Sequence, residues 1–353
     1  MELYKLGEKM RTLTEISSTK NARRRMAILL FLGSTLVCLV QAQATTVTYT
    51  KQTTTVKRHK ITIFSKPTDD SGALRIVSGS GRALWFGELS LGTVVKFSLK
   101  GQATAYTVPI SGASIHALAQ AGDGNMWFAD FHSDKVGRVS VRGKFKTFDT
   151  SANPTQSNQM VEGGDGSVWF ATDQSGIGRT TTLGKTRYFS IVNNATQPTA
   201  LTVGPSNEIW YAEWAGSNVG YIDNGGNAHE FDAGFGGFSN TFGIAYGSDG
   251  RIWFCDPQNG RISAIDTDGG GLTHYSTGLS GQADSIVAGP DGNLYFGEFT
   301  GVIGKITTTG KITEYPLPQS EGSFPVLGIT VGPDQNIWFS NNDHAQIGRF
   351  VVK

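Results

Sequence analysis

An aromatic residue that recurs about every 42 residues constrains the fold of this chain more than any other feature. It is followed by a second aromatic residue each time, within a similar local sequence. The seven markers are Trp85, Trp127, Trp169, Trp210, Trp253, Tyr295 and Trp338, with spacings of 42, 42, 41, 43, 42 and 43 residues. A repeat of this length that is rich in short strands is typical of a β-propeller. The sequence therefore predicts an all-β fold, a seven-bladed β-propeller.

Each repeat divides into four short strands, which we name A to D. In the sixth repeat strand A is "SIVAG", strand B is "NLYFGE", strand C is "VIGKIT" and strand D is "KITEYPLP". Asp291-Gly292 lies between strands A and B and suits a tight hairpin, because glycine accepts a positive φ angle there. Strand B is apolar at consecutive positions, which indicates a blade covered on both faces by its neighbours. The sequence predicts four-stranded antiparallel blades.

The seventh repeat lacks its fourth strand at the C-terminus, where the chain ends with "IGRFVVK". The segment "HKITIFSKP" at residues 59–67 matches "GKITEYPLP" of the sixth repeat in register. We therefore expect this N-terminal strand to complete blade seven and close the ring, which leaves no open sheet edge between the first and last blades. The propeller would span residues 59–353, preceded by a threonine-rich linker at residues 45–58.

The first 44 residues have the pattern of a signal peptide. Three arginines, Arg23 to Arg25, precede the apolar run "MAILLFLGSTLVCLV", and an Ala-x-Ala site ends at Ala44. Cleavage after Ala44 would give a secreted or periplasmic protein with no membrane attachment. The alternative is a retained N-terminal anchor, although about 15 apolar residues is short for a membrane span, which needs ~20.

The charge of the chain bears on whether it binds nucleic acid, and its cysteine content bears on whether a disulfide can stabilise it. The first 44 residues contain seven of the 30 basic and three of the 29 acidic residues, which leaves the remainder with a net charge of −3. A chain with this charge and no basic stripe is not expected to bind nucleic acid. Cys255 is the one cysteine after Ala44, so packing rather than an internal disulfide must stabilise the fold. We expect a monomer.

A set of oxygen-bearing side chains lies three residues after the markers. The set is Glu88, Asp130, Thr172, Glu213, Asp256, Glu298 and Asn341. The ends of the B strands share one rim of the ring with the starts of the A strands, and we call this rim the mouth. Converging carboxylates would need a cation, so Glu88, Asp130, Glu213, Asp256 and Glu298 are candidate ligands for Mg²⁺ or Ca²⁺. The alternative is that each side chain caps its own B–C loop by bonding backbone amides.

The start of strand A, eleven residues before each marker, varies between blades. The residues are Leu74, His116, Asn158, Thr199, Phe242, Asp284 and Leu327. Structural positions repeat, whereas a varied set at the mouth is typical of a binding site. Asn158, Thr199 and Asp284 are therefore candidate ligand-binding residues, together with three aromatic residues that lie four after their markers, Phe131, Trp214 and Phe299.

The repeats "GITVGPDQNIWFSNNDHAQIGRF" and "GPDGNLYFGEFTGVIGKITTTGKITEYPLP" closely resemble the virginiamycin B lyase, or streptogramin lyase, family over nearly all of residues 59–353. The resemblance implies a seven-bladed propeller that linearises a cyclic depsipeptide antibiotic by elimination at its ester, aided by a divalent metal. It makes His116 in "SIHAL" the counterpart of a catalytic histidine, and Asp130 the counterpart of a glutamate that follows a Trp-Phe pair. Ser114 stands where a further glutamate is expected, and Leu74 and Asn158 occupy the adjacent positions where a second histidine is expected.

Three functions remain open from the sequence. One is a binding propeller that takes a small molecule, peptide or glycan at the mouth, with or without a divalent metal. The second is a metal-dependent lyase or lactonase with a different acid–base set, in which His116 and Asp130 are the catalytic candidates. The third is a structural or interaction propeller outside the cytoplasm. Streptogramin lyase activity itself is not expected, because half of the family's catalytic set is absent.

Overall fold

The computed structural model describes residues 44–67, 72–150, 157, 159–172, 176–192, 197–214, 216–234, 243–277, 282–318, 325–341 and 345–353. These residues fall within one compact unit, Ala42–Lys353. The predicted signal peptide lies outside the described residues except for Ala44, as do the candidate Asn158 and the strand-A residue Phe242. The described residues include no helix long and apolar enough to cross a membrane.

The described residues form seven antiparallel sheets arranged as a β-propeller, which confirms the predicted fold class. Three strands precede the first blade: β1 (Ala44–Thr48), β2 (Thr50–Val56) and β3 (His59–Ser65). Blade 1 comprises β4 (Ala73–Gly79), β5 (Ala83–Glu88), β6 (Thr93–Phe97) and β7 (Gln102–Thr107). Blade 2 comprises β8 (Ile115–Gln120), β9 (Met126–Asp130), β10 (Lys135–Val139) and β11 (Phe145–Asp149). Blade 3 comprises β12 (Met160–Glu162), β13 (Val168–Thr172), β14 (Gly176–Thr180) and β15 (Thr186–Ser190).

The remaining blades follow the same A-to-D order. Blade 4 comprises β16 (Pro198–Val203), β17 (Ile209–Glu213), β18 (Asn218–Ile222) and β19 (Ala228–Asp232). Blade 5 comprises β20 (Ile244–Tyr246), β21 (Arg251–Asp256), β22 (Arg261–Asp266) and β23 (Thr273–Ser276). Blade 6 comprises β24 (Ala283–Ala288), β25 (Leu294–Glu298), β26 (Val302–Ile306) and β27 (Ile312–Pro316). Blade 7 takes β28 (Gly328–Val331), β29 (Ile337–Asn341) and β30 (Gln346–Phe350) from the C-terminus and β3 from the N-terminus.

The predicted ring closure is confirmed by the pairing of β3 with β30. The two strands are antiparallel, with Ile61 opposite Phe350 and Ser65 opposite Gln346. Phe64 is fully buried there and stacks on the marker Trp338 with ring centroids 5.6 Å apart. The strand therefore supplies both backbone pairing and core packing to blade 7.

The threonine-rich segment differs from the linker predicted at residues 45–58, because most of it forms two further strands. β1 pairs with the outer strand of blade 1, β7, and β2 pairs with β3 at the outer edge of blade 7. Between them Tyr49 is buried and lies edge-on against Phe97 at 5.0 Å. β-branched threonine has a high strand propensity, and the free edges of the outer strands of these blades accept such strands. The segment therefore joins the first and last blades a second time.

The marker aromatics form the blade cores, and their local context explains why they repeat. Trp85, Trp127, Trp210, Trp253, Trp338 and Tyr295 are fully buried, and Trp169 nearly so. In blade 7 the Trp338 indole donates to Asp334 of the A–B turn over 2.8 Å, and Arg349 of strand C pairs with the same carboxylate. Blade 6 repeats this arrangement with Tyr295, Asp291 and Lys305. Truncating one marker to alanine would cost ~3–5 kcal/mol.

Candidate functional site

A cavity of about 310 Å³ lies at the centre of the ring, where the innermost strands of the blades meet. Apolar side chains from every blade line it, together with polar groups such as Gln159, Thr202 and Ser285. The apolar lining includes Ile76, Leu118, Met160, Leu201, Ile244 and Ile286. Among the described residues that line the cavity, Arg75 alone is charged.

A β-bulge interrupts strand A at the mouth end in blades 1, 2, 4 and 6. In blade 2, Ile115 and Ala117 pair with Asp130 and Ala129, which leaves His116 as the extra residue. Thr199 and Asp284 are the extra residues of blades 4 and 6 in the same way. Bulges bend a strand, re-aim its side chains and are frequent beside active sites. Four of the positions that sequence singled out as varied therefore stand at bulges, with Leu74 in blade 1 as the fourth.

The residues that line the mouth end of the cavity lie one position after the varied set. They lie ten positions before each marker, and this set is Arg75, Ala117, Gln159, Ala200, Gly243, Ser285 and Gly328. All but Ala200 line the cavity. Five of the seven are Gly, Ala or Ser, so an arginine stands out against them. This contrast is present in the sequence, one position after the varied set that the sequence analysis selected.

Arg75 joins three blades at the mouth. Its Nη1 donates to Oδ2 of Asp284 in blade 6 over 3.0 Å and to the backbone carbonyl of Leu327 in blade 7. Both side chains are largely buried, with 12% of Arg75 and 6% of Asp284 exposed. Burial raises the pKa of Asp284, and the Arg75 guanidinium opposes that shift. Asp284, a predicted ligand-binding residue, therefore acts first as the partner of an arginine that the sequence analysis missed.

The five predicted metal ligands are buried, and three of them form hydrogen bonds or ion pairs with nearby protein groups. Asp130 accepts the amide of Ser114 at 2.8 Å and the hydroxyl of Ser133, and Glu88 pairs with Lys66 at 2.8 Å. Asp256 pairs with Arg261 at 2.6 Å and accepts two hydrogen bonds from Asn259. Ser133 and Asn259 lie in the B–C loops that follow Asp130 and Asp256, so their contacts favour the loop-capping interpretation. Lys66 lies after β3, so it holds Glu88 from outside blade 1. In the described part of the chain, no group of three His, Cys, Asp or Glu side chains comes together that could hold a metal ion.

Glu213 and Glu298 end strand B in blades 4 and 6, and neither is exposed to solvent. Glu298 accepts a hydrogen bond from Thr300 at 3.1 Å through Oε2, while its Oε1 is buried without a partner. Burial raises the pKa of Glu298 to about 7, and the nearby carboxylate of Glu314 adds to the shift. This residue therefore carries or loses its proton near neutral pH.

His116 and Asp130, the catalytic candidates, share blade 2 but face different partners. The His116 ring stacks on Phe131 with centroids 4.1 Å apart, and its Nε2 lies 3.0 Å from Ser114 Oγ. Asp130 is 1% exposed and accepts a hydrogen bond from the backbone amide of Ser114. Ser114 therefore contacts both residues. A histidine in this position can bind a ligand or accept a proton.

The predicted aromatic residues are held at the mouth by their backbones. The amides of Phe131, Trp214 and Phe299 donate to the carbonyls of Ser114, Gln197 and Gln282, each of which lies just before or at the start of its own strand A. Trp214 is 41% exposed, whereas every marker tryptophan is buried. Thr199 is less available, because it is buried and its hydroxyl donates to Ala212 O at 3.4 Å.

The sequence matches the model of the virginiamycin B lyase family at residues 34–236 and 236–353. No curated protein matches the chain. Among solved structures, a streptogramin B lyase is 26% identical, with a TM-score of 0.77 over 83% of this chain and 97% of that one. A virginiamycin B lyase from Staphylococcus aureus is 25% identical, with a TM-score of 0.75 over 86% and 100% of the two chains. A catalytically inactive form of that lyase with quinupristin is 27% identical, with a TM-score of 0.77 over 84% and 100%.

Proposed function

This chain belongs to the virginiamycin B lyase family, and on that premise we propose that it is a binding propeller that takes a small molecule, peptide or glycan at the mouth of the ring. The N-terminal basic and apolar segment supports a secreted or periplasmic location. The observation that carries the proposal is the bulge that recurs in strand A of four blades while its side chain changes from one blade to the next.

A binding site built on a repeat requires a backbone that recurs in each blade and side chains that differ between blades. The markers, turn aspartates and strand-C bases recur because they stabilise each blade, whereas Leu74, His116, Thr199 and Asp284 share only a place in the fold. Binding residues are disproportionately carried by loops and irregular positions on a rigid scaffold. The mouth of the ring carries such loops and irregular positions on the rigid propeller.

Exposed aromatic rings at the mouth support binding by stacking. Trp214 is exposed, and the Phe131 ring is partly exposed beside His116. Flat rings beside polar side chains suit sugar rings, peptide groups and other small polar ligands. A ligand there would contact the two rings on blades 2 and 4.

The enzyme alternative depends on His116. Its Nε2 lies 3.0 Å from Ser114 Oγ, so the imidazole is placed to accept or donate a proton at the mouth. The streptogramin lyase reaction is not part of the proposal, because Leu74 is an alkyl side chain where the family resemblance calls for a histidine. Incubation with a type B streptogramin and magnesium should give no linear product above background. Efficient ring opening would contradict this and would assign His116 a catalytic role.

Trp214 offers a direct test of the binding proposal, because the marker tryptophans are shielded from solvent. Acrylamide quenching of tryptophan fluorescence, repeated across a panel of peptides, oligosaccharides and small molecules, should reveal a ligand that protects Trp214. Trp214→Ala and Phe131→Ala should weaken binding of that ligand. Leu183→Ala is the matched control, since Leu183 is 80% exposed in the C–D turn of blade 3 on the opposite rim. Loss of binding in Leu183→Ala, with none in the mouth variants, would overturn the proposal.

A further inference from the structure

We propose that a groove between blades 3 and 4, on the rim opposite the mouth, binds a neutral saccharide of about two sugar rings. We call it the blade 3–4 groove. Its volume is about 490 Å³, within the ~300–1,000 Å³ that is usual for small-molecule sites. Its polar side chains are Asp165, Arg179, Arg187, Asn207, Asp223 and Asn224. The groove is separate from the mouth, and binding there does not depend on the function proposed for the mouth.

The blade 3–4 groove lacks a bridge that spans the equivalent place between blades 2 and 3. There Arg138 of strand C donates to the backbone carbonyl of Thr182, in the C–D turn of the next blade, over 3.1 Å. Arg179 is the counterpart of Arg138 in blade 3, and Asn224 is the counterpart of Thr182 in blade 4. Arg179 pairs with Asp165 and makes no hydrogen bond to the blade 4 turn in the described structure. The space between these two blades therefore stays open.

Arg187 places an available guanidinium in the groove. The side chain is exposed and lies over the Phe189 ring, 4.6 Å from its centroid, and it forms no ion pair with a described residue. Gly226 of the blade 4 turn lies close by. A Cβ at Gly226 would come within 2.7 Å of the Phe189 ring and 3.5 Å of Arg187 Nη2, so a side chain there would crowd the guanidinium. The N–H groups of Arg187 are therefore within reach of a ligand.

Trp169 lines the same groove and differs from other marker tryptophans in its indole N–H. In blades 2, 5 and 7 the indole donates to the aspartate four residues earlier, in the A–B turn. The equivalent Asp165 accepts instead from Ser167 and Arg179, and the Trp169 N–H has no partner in the described structure. Trp169 is 9% exposed, whereas the other six markers are 0% exposed, and its nitrogen is not fully enclosed. The indole N–H is a second donor for a ligand.

Asn207 reaches the groove from the A–B turn of blade 4. Its φ is 66°, a conformation that asparagine adopts more readily than most residues. The side chain packs against Gly164 of blade 3, where an added Cβ would lie 2.4 Å from Asn207 Oδ1. The backbone amide donates to Gly204, while the side-chain amide makes no hydrogen bond in the described structure. This amide offers a ligand one acceptor oxygen and two donor N–H groups.

The charges of the groove balance, which favours a neutral ligand. Two arginines and two aspartates line it, and Arg179 pairs with Asp165. The side-chain amide of Asn227 donates to Asp223 over 3.0 Å and holds the pKa of that carboxyl well below its usual range, so Asp223 stays an ionised acceptor. With Arg187 as a donor, the lining calls for a ligand that donates and accepts hydrogen bonds without net charge. Hydroxyl groups do both, and a saccharide carries several on a compact ring.

Calorimetric titration with maltose, lactose, cellobiose and sucrose tests this inference. At least one of these disaccharides should bind at millimolar concentration with one site per chain. Hexa(ethylene glycol) is neutral, but its ether oxygens accept hydrogen bonds without donating, so it should bind about tenfold more weakly or not at all. No binding of any of the four sugars, or equal binding of hexa(ethylene glycol), would overturn the inference.

Matched variants locate the site. Arg187→Gln should lower the affinity for the best-binding disaccharide about fivefold or more, because charge-assisted hydrogen bonds are lost. Lys146→Gln is its control, since Lys146 lies over Phe148 in the same way in blade 2, and it should leave the affinity unchanged. Asn207→Gly keeps the positive φ and should reduce the affinity about threefold. Gln335→Gly, at the same turn position in blade 7 with a φ of 58°, should not. If each variant binds as its control does, the groove is not the site.

Trp214→Ala separates the groove from the mouth. Disaccharide binding that survives in Trp214→Ala and weakens in Arg187→Gln would support the groove. Binding that is lost in Trp214→Ala and kept in Arg187→Gln would place the sugar at the mouth and overturn the inference, while leaving the function proposed for the mouth intact. That function fails separately, when no ligand in the quenching screen protects Trp214.

Discussion

Blades 4 and 6 each carry two glutamates at equivalent positions, but the glutamates have different hydrogen-bond partners in the two blades. In each blade a buried glutamate ends strand B, and a second glutamate on strand D faces the same side of the sheet. These pairs are Glu213 with Glu230 and Glu298 with Glu314. The repeat has copied the positions of the acids, so the differences lie in the side chains around them.

In blade 4 the strand-D acid is surrounded by donors. Tyr211 donates its hydroxyl to Glu230 at 2.9 Å, the Val192 amide donates at 2.8 Å, and Asn218 reaches the second oxygen at 3.4 Å. Burial raises the pKa of Tyr211, and the neighbouring Glu230 carboxylate raises it further. The tyrosine therefore stays protonated and remains a donor to the acid.

In blade 6 the corresponding donors are absent from the sequence. Phe296 replaces the tyrosine, and Val302 replaces the asparagine at the start of strand C. Glu298 and Glu314 each have one buried carboxylate oxygen without a partner in the described structure. Burial raises the pKa of both residues, and the Lys57 ammonium opposes the shift at Glu314. The repeated strand-D position thus holds a hydrogen-bonded acid in blade 4, Glu230, and in blade 6 an acid with a raised pKa and one unpartnered oxygen in the described structure, Glu314.

The largest expected effect is on pH-dependent stability. Because the pKa of Glu298 is about 7 in the folded state, the folded protein binds a proton more tightly than the unfolded chain, and stability falls as pH rises from about 4.5 to 7. The full difference amounts to roughly 3 kcal/mol. Urea unfolding from pH 5 to pH 8 should show a shallower decline in Glu298→Gln than in the wild type. The exposed Asp268→Asn should follow the wild type, and equal slopes for all three would contradict the assignment.

Removing the Tyr211 hydroxyl should leave Glu230 of blade 4 with fewer hydrogen-bond donors, as is the case for Glu314 of blade 6. Tyr211→Phe removes one donor from Glu230 in a part-buried site. The free energy of unfolding should fall by ~1–2 kcal/mol, the cost of leaving a buried acceptor short of a partner. Urea unfolding at pH 7 measures this. An unchanged midpoint would mean that the hydrogen bond from Tyr211 to Glu230 does not stabilise the folded protein. The proposed difference between blades 4 and 6 would then be wrong.

The reverse change should rescue blade 6 by a smaller amount. Phe296→Tyr places a hydroxyl where Tyr211 has one, on the face that carries Glu314. We expect a gain of about 1 kcal/mol or less, because Glu314 is partly exposed and a new hydrogen bond there adds less than in a buried site. Thermal melting at pH 8 measures it, with Tyr211→Phe as the opposite reference. A loss of stability would show that the two blades are not equivalent in packing.

The smallest expected effect concerns divalent ions. If the acids after the markers cap their loops, calcium or magnesium should shift the melting temperature of wild type, Glu213→Gln and Glu298→Gln equally. A rise in the wild type that is lost in both variants would instead support the metal ligands that the sequence suggested. A rise that is lost in one variant alone would identify the blade that holds the ion.

The blade architecture could be predicted because it follows from local repetition. A buried aromatic every 42 residues, with a turn aspartate before it, specifies one blade at a time, and the register of residues 59–67 specified the closing strand. The threonine-rich segment was predicted wrongly as a linker, because a strand that pairs only at an outer edge carries no hydrophobic alternation. Its exposed pattern, as in β2, resembles that of a loop.

The irregular positions at the mouth could be predicted in part. His116, Thr199 and Asp284 were singled out by their variation, and the structure places each at a bulge. Arg75 was missed because only the position before it, at the start of strand A, was compared between repeats. Long-range pairing between Arg75 and Asp284, 209 residues apart, leaves no trace in local sequence.

A crystal structure of the protein grown with a ligand that protects Trp214 from acrylamide tests the central claim most directly, that the mouth of the ring is the binding site. It should show the ligand at the mouth, in contact with Trp214 or with the Phe131 and His116 rings. Density for the ligand on the opposite rim, near the turn that holds Leu183, with none at the mouth, would contradict the account.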